Sequence, residues 1–162
     1  MLEKLDQKLQ YLNAVPPLAS RITVGIGFFL TGSGKLAHLD RFTEFLTSLH
    51  IPLAALQAPF IAGLEYVGGI LLLLGLFTRP IAFLLSGTMV VALLTADTAR
   101  FLDSWKKTSD IVPTDVTSFA YLLLLSWLVF YGAGAVSLDR LVIKPLAKKL
   151  AWPSTREALQ PA

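Results

Sequence analysis

Four stretches of this 162-residue sequence are each about as long and as apolar as a helix that crosses a lipid bilayer. They cover residues 18–37, 56–77, 80–99 and 116–136, and a spanning helix needs about 20 largely apolar residues. The composition agrees, because 54% of the residues are hydrophobic, 15% are charged and the mean hydropathy is +0.64. The sequence therefore predicts an all-α membrane protein, a single membrane domain over residues 1–162 with the lipid bilayer as its surroundings.

The connections between these stretches predict an antiparallel bundle of four transmembrane helices with short amphipathic interfacial helices. A turn of two or three residues at 78–80 joins spans two and three, and Pro80 is expected to open the third span at its first position. In the first loop, Asp40 is expected to cap an amphipathic helix over residues 40–50 that lies on the membrane surface. Two further segments are expected to dock on the bilayer surface, 2–13 at the N-terminus and the basic tail 140–162.

Basic residues are distributed unevenly about the spans. Nine of the 14 lysines and arginines lie on the side of the two termini and the 78–80 turn, and five lie on the opposite side. The positive-inside rule therefore predicts cytoplasmic termini, with loops 38–55 and 100–115 outside. The first span should be retained in the mature protein, because charged residues lie within it and no small-residue cleavage site follows it.

The sequence excludes several classes of function. It contains no cysteine, so thiolate catalysis, disulfides and iron–sulfur ligation are absent. Residues 32–35 read GSGK, but Phe29 and Leu36 stand where a phosphate-binding loop needs glycine and serine or threonine, so no nucleotide site is expected. The basic residues flank apolar spans, where lipid headgroups rather than nucleic acid are the simpler partner. His38 and His50 have no third ligand nearby in the sequence, so no metal site is expected.

One carboxylate, Glu65, lies near the middle of the second span. Helical spacing places small residues on the same face of that span as Glu65. A similar face of the first span carries two charged residues. The face of the second span comprises Glu65, Gly68, Gly69, Leu72 and Gly75, and the face of the first span comprises Arg21, Gly25, Phe28, Gly32 and Lys35. Small residues mark surfaces where membrane helices approach closely, so the two faces are predicted to meet. Antiparallel packing then leaves an axial gap of about 6 to 11 Å between Glu65 and Lys35, against roughly 15 Å to Arg21.

The predicted pair has two interpretations. Charges inside a membrane typically mark function, because inserting Asp, Lys or Arg costs about 2.5 to 3.5 kcal/mol even on a lenient scale. A buried pair can equally do no more than fix the register of two helices. The residues alone leave both interpretations open.

Three segments resemble the DoxX family of small four-helix membrane proteins. They are RITVGIGFFLTGSGKL, PFIAGLEYVGGILLLLGLFTRP and YGAGAVSLDRL, and the resemblance covers roughly residues 17–141. It implies an uncleaved inner-membrane protein, in some members a subunit of a thiosulfate- or thiol-linked oxidoreductase that reduces quinone. Glu65 and Arg79 match the shared pattern, and we expect Arg21, Arg79 and Asp139 to be structural charges.

Three functions are compatible with the sequence. In the first, the protein is the membrane subunit of a redox complex and acts with a redox partner. It binds a quinone between its helices. Glu65 then accepts or donates a proton, and Lys35 or His38 lies near the quinone oxygen. In the second, it is a non-enzymatic adaptor or assembly factor whose charges only hold the bundle. In the third, a small solute or proton passes Glu65, although inverted halves with broken helices are not visible in the sequence. No intrinsic cofactor is evident, so the first function needs a bound quinone or a partner.

Overall fold

The computed structural model describes residues 15–106, 109–134 and 137–139. Within these residues it contains six α-helices, one short 3-10 helix at Pro113–Asp115 and no β-strand, so the predicted all-α class is confirmed for this part of the chain. The helices are α1 (Val15–Ala37), α2 (Leu39–Ser48), α3 (Ala54–Leu74), α4 (Thr78–Thr95), α5 (Thr98–Asp103) and α6 (Thr117–Tyr131). The amphipathic segments predicted at 2–13 and 140–162 lie outside the described residues.

The four long helices α1, α3, α4 and α6 form a ring in which each helix packs on two neighbours. Packing is most extensive between α1 and α3, followed by α4 and α6. Each helix contributes to one apolar core, whose buried members are Val24, Phe28, Leu72, Ala82, Leu85, Leu125 and Leu128. Such a ring places side chains from all four helices within reach of one another along a common interior.

Glycines bring α1 and α3 into backbone contact, and we call this contact the α1–α3 seam. A Cβ atom on Gly32 would collide with the backbone of Tyr66, and one on Gly69 would collide with the backbone of Phe29. Residue numbers fall along α3 as they rise along α1, so the two helices are antiparallel. The rings of Phe29 and Tyr66 stack beside the seam with centroids 5.2 Å apart. Close approach of this kind is how membrane helices gain packing contacts in surroundings as apolar as themselves.

Gly68 does not face α1, contrary to the sequence prediction. A Cβ atom on Gly68 would lie 3.1 Å from Leu85 and 3.3 Å from Ile81, both on α4. Neighbouring positions on a helix are about 100° apart, so Gly68 and Gly69 cannot both face the same partner. Gly69 therefore belongs to the α1–α3 seam and Gly68 to the contact between α3 and α4.

The turn between α3 and α4 occupies residues 75–77 rather than the predicted 78–80. Gly75 ends α3 instead of lying on its face, and its φ of +68° is the left-handed conformation that glycine adopts at many helix ends. Because α4 begins at Thr78, Pro80 is the third residue of the helix and not the first. Pro80 still lies within the first turn, where its missing N–H removes no helical hydrogen bond.

The amphipathic helix α2 packs across the start of α3. Leu46 is buried against Ala54 and Ala58 in a second, smaller apolar cluster. Asp40 does not cap this helix, because α2 begins at Leu39 and has no side-chain cap. Asp40 instead lies in the first turn, where a carboxylate interacts favourably with the helix dipole.

Two of the described helices, α3 and α4, are long and apolar enough to cross a membrane by length and composition. Helix α6 is apolar but has 15 residues and ends at Tyr131, short of the predicted span 116–136. Helix α1 has 23 residues but carries Arg21 and Lys35. Two of the four predicted spans therefore meet this criterion.

Candidate functional site

Lys35 and Glu65 form an ion pair between α1 and α3. The Nζ atom of Lys35 lies 2.6 Å from each carboxylate oxygen of Glu65. The hydroxyl of Thr31, one turn earlier on α1, lies 3.3 Å from Oε2 of Glu65 and equally far from the carbonyl oxygen of Phe28, so its one proton is available to either acceptor. Glu65 is only 1% exposed, whereas the side chain of Lys35 is 29% exposed. The structure thus brings together the two charges that helical spacing placed on facing surfaces.

The local sequence explains why this pair forms. Gly32 lies three residues before Lys35 and contacts the backbone at Glu65 and Tyr66, so the α1–α3 seam brings the two charged side chains to the same level. Lys35 stands in the last turn of α1, where the helix dipole favours a cation. The ring of Phe42 on α2 lies 4.8 Å from Nζ in a cation–π contact. Three helices therefore hold the lysine in place.

The pair has no net charge, and this neutrality allows Glu65 to be buried. An uncompensated ion in the interior costs several kcal/mol in lost solvation, so a buried carboxylate requires a partner such as Lys35. A lysine ammonium has three N–H donors, and Glu65 accepts from two of them. One donor of Lys35 therefore remains for another acceptor on its partly exposed side.

An apolar cavity of about 330 Å³ lies against the ion pair. It lies between α2, the first half of α3 and the part of α4 from Leu84 onward, and both Lys35 and Glu65 contribute to its wall. Aliphatic and aromatic side chains form most of the remaining lining. The other polar side chains described in the wall donate to nearby backbone carbonyl oxygens, and they are Gln57, Thr88 and Thr95. The cavity is thus an apolar space with one charged hydrogen-bond donor, Lys35.

His38 does not take part in this arrangement. It is the exposed residue that precedes α2, and it is not among the residues that line the cavity. Within the part of the chain that the structure describes, no three or more His, Cys, Asp or Glu side chains are grouped to hold a metal ion.

The three charges expected to be structural lie at the other end of the bundle, beside the α3–α4 turn. They are Arg21, Arg79 and Asp139. The carboxylate of Asp139 accepts hydrogen bonds of 2.7 and 3.1 Å from the backbone N–H groups of Phe77 and Thr78. An anion is favoured here because these N–H groups open α4. The backbone N–H of Asp139 also donates to the carbonyl oxygen of Gly75 at 3.0 Å.

The two arginines close the end of α6. Nη2 of Arg79 donates to the carbonyl oxygen of Phe130 at 3.1 Å, and Nη1 of Arg21 donates to that of Ala133 at 2.8 Å. Arg21 is 3% exposed and fills the space that a side chain on Gly75 would need. These contacts join the ends of α3, α4 and α6, and we call them the turn-end clasp. Its groups bond to backbone rather than to one another, which explains why sequence spacing alone did not reveal them.

The fold and the site together define a class: a helical membrane protein with a neutral ion pair buried beside an apolar cavity. A sequence model described as DoxX matches residues 17–98, which include all but the first two residues of α1, the whole of α2 to α4, both members of the ion pair and the whole cavity. The chain belongs to the DoxX family.

Three relatives support this assignment. The chain is 33% identical over 135 residues to the inner membrane protein YphA of Escherichia coli (strain K12), covering 76% of this chain and 87% of that protein. It is 31% identical over 130 residues to the "Putative oxidoreductase CatD" of Bacillus subtilis (strain 168), covering 78% and 87% respectively. It is 38% identical over 130 residues to an uncharacterized protein of Haemophilus influenzae, covering 76% and 88%. No solved structure matches the chain.

Proposed function

We propose that this protein is the membrane subunit of an oxidoreductase complex and binds a quinone in the cavity beside Lys35 and Glu65. The observation that carries the proposal is the contact between an apolar cavity and a buried, neutral ion pair with a spare donor. The name of the relative CatD supports the redox class. The chain has no cysteine, so the electrons come from a partner, for which the family resemblance favours a thiosulfate- or thiol-linked oxidoreductase.

The cavity fits a quinone ring in size and in polarity. Its volume of about 330 Å³ lies within the range of small-molecule sites, which are mostly apolar with a few placed polar groups. The free N–H of Lys35 is a donor for one carbonyl oxygen of the ring. Because Lys35 and Glu65 neutralise each other, the site attracts a neutral headgroup without favouring an anionic one.

The residues of the site then have separate tasks. A bound quinone supplies a carrier for two electrons and two protons. Lys35 orients the ring through Nζ, and the carboxylate of Glu65, ionised in the pair, is the group that accepts and later returns a proton on the same side of the cavity. Thr31 offers Oε2 of Glu65 a further hydrogen-bond donor, and α2 covers the cavity and limits access of water.

The same proposal includes four membrane-spanning helices with both termini in the cytoplasm of a bacterial-type cell. Helix α1 is about 34 Å long at 1.5 Å per residue. Its side chains Ile22, Ile26 and Leu30 are 41%, 46% and 60% exposed and form an apolar stripe suited to lipid. At the clasp end of α6, Trp127 and Tyr131 stack with ring centroids 3.9 Å apart, as expected of aromatic residues at a membrane interface. The cavity then lies in the outer half of the inner membrane.

Equilibrium binding of a tail-free benzoquinone to the purified protein in lipid nanodiscs tests this function. We expect saturable binding to the wild type, and Lys35→Met should weaken it by about tenfold because a charged hydrogen-bond donor is lost. Lys106→Met is the matched control, since Lys106 pairs with Asp103 at 2.9 Å outside the cavity. The control should bind the quinone as the wild type does.

Two results would count against the proposal. Absence of saturable binding to the wild type would leave the ion pair as a device that holds α1 against α3, which is the adaptor interpretation. Equal weakening by Lys35→Met and Lys106→Met would show that the quinone senses the surface charge of the protein and not the cavity.

A further inference from the structure

We infer that the cavity takes its ligand from the bilayer through a lateral gap at Gly87, and that the ligand is a neutral quinone with a hydrocarbon tail that lies in this gap. The inference rests on the proposed quinone site and adds to it the source of the ligand, its route and its class.

The first observation is an exposed apolar rim on the cavity. Phe60 on α3 and Leu84 and Val91 on α4 all line the cavity, yet they are 68%, 48% and 45% exposed. Side chains that face both the cavity and the outside border an opening. These positions lie along α3 and α4, the two described helices that are long and apolar enough to cross a membrane, so the medium outside the opening is lipid hydrocarbon.

The second observation is a missing side chain in that rim. Leu84, Gly87 and Val91 share one face of α4 at positions i, i+3 and i+7. Gly87 is exposed and lines the cavity, and no heavy atom lies within 4 Å of the place where its Cβ would stand. Gly87 therefore leaves a gap between two apolar side chains, with Phe60 on the facing helix.

The positions of the charged and apolar residues around the cavity indicate which kind of molecule fits the gap. Glu65, which is 1% exposed, and its partner Lys35 supply the charged part of the wall, whereas the rim residues carry no charge and no side-chain donor. A molecule with a carbonyl-bearing ring and a hydrocarbon tail matches this order, ring inward and tail outward. The tail passes from lipid into the gap without contact with water, so little free energy opposes its transfer.

The test compares a tail-free benzoquinone with the same ring bearing a decyl tail, both in nanodiscs. Gly87→Phe places a phenyl ring in the gap, and Gly63→Phe is the matched control, because Gly63 also has no heavy atom within 4 Å of its Cβ position but does not line the cavity. The measured quantity is the ratio of the two affinities. We expect Gly87→Phe to lower the preference for the tailed quinone by about ten- to a hundredfold, as overpacking does in a filled site. Gly63→Phe should leave the ratio unchanged.

The outcomes separate the gap from the quinone site itself. An unchanged ratio in Gly87→Phe, or the same change in both variants, would overturn the gap while leaving the quinone site in place. Failure of the tail-free quinone to bind the wild type would instead remove the proposed function. Gly87→Leu is a smaller plug, and it should shift the ratio in the same direction if the phenylalanine variant does not fold.

Discussion

Replacing Lys35 should destabilise the protein more than replacing Glu65, because the two members of the pair differ in exposure. Lys35→Met leaves a carboxylate that is 1% exposed with the hydroxyl of Thr31 as its remaining described hydrogen-bond partner. Stranding a buried charge in this way typically costs about 3 to 5 kcal/mol. Glu65→Gln leaves an ammonium on a side chain that is 29% exposed and can turn toward water or headgroups. We expect that variant to lose about 1 to 3 kcal/mol.

The double replacement should recover part of the loss, because neither charge is then left alone. We expect Lys35→Met with Glu65→Gln to be more stable than Lys35→Met by about 1 to 2 kcal/mol, which is a large coupling for two contacting residues. The assay is unfolding by sodium dodecyl sulfate in mixed micelles, followed by circular dichroism for the wild type and all three variants. Lys106→Met serves as control, since an exposed pair of this kind should contribute little to stability.

Losses that add within about 0.5 kcal/mol would refute the coupling of Lys35 and Glu65. Quinone binding measured on the same samples separates the two interpretations of the pair. If the double variant regains stability but not binding, the charged groups act on the ligand. If it regains both, Glu65 is structural and the adaptor interpretation is favoured.

Four further predictions concern the rest of the molecule. Gly32→Leu should lower stability to detergent far more than Gly34→Leu, because a Cβ on Gly32 meets the backbone of α3 while one on Gly34 meets nothing within 4 Å. Equal losses of stability in the two variants would show that the α1–α3 seam is wrongly assigned. Asp139→Ala should lower the free energy of unfolding in sodium dodecyl sulfate by about 1 to 3 kcal/mol, because two backbone N–H groups lose a charged acceptor. An unchanged free energy of unfolding would contradict the turn-end clasp. The hydrogen bond and charge of Lys106 hold the pKa of Asp103 below its usual value, so Lys106→Met should raise that pKa in an NMR titration, and an unchanged pKa would exclude the contact. A reporter that is active only in the periplasm should be inactive when fused after the last residue, and activity would reverse the proposed orientation.

The meeting of Glu65 and Lys35 could be read from the sequence because two simple rules apply to it. Helical spacing assigns residues to faces, and small residues mark the faces that approach closely in a membrane. Gly32 and Gly69 satisfy both rules, and they form the closest described backbone contacts of the α1–α3 seam. The helical class follows in the same way from the length and apolarity of the segments.

Features that depend on the rotation of a helix about its own axis, or on contacts between segments far apart in the chain, could not be predicted in this way. Spacing placed Gly68 and Gly69 on one face, but a ring of four helices gives each helix two partners, and the two glycines divide between them. The cavity depends on how α2 folds back over α3, which no local pattern specifies, so the position of His38 outside it was not foreseen. The turn-end clasp joins Asp139 to the start of α4, about 60 residues earlier, through backbone groups that every sequence contains.

Photo-cross-linking offers the most direct test of the central claim, that the cavity beside Lys35 and Glu65 is a quinone site. The probe is a benzoquinone with a photoreactive group on its ring, applied to the protein in nanodiscs, with the labelled residues mapped by mass spectrometry. We expect label within residues 57–65 of α3 and residues 84–96, in α4 and its C-cap, and competing unlabelled quinone should remove it. Label that lies on α6 instead, or that the unlabelled quinone does not displace, would contradict the assignment of the cavity.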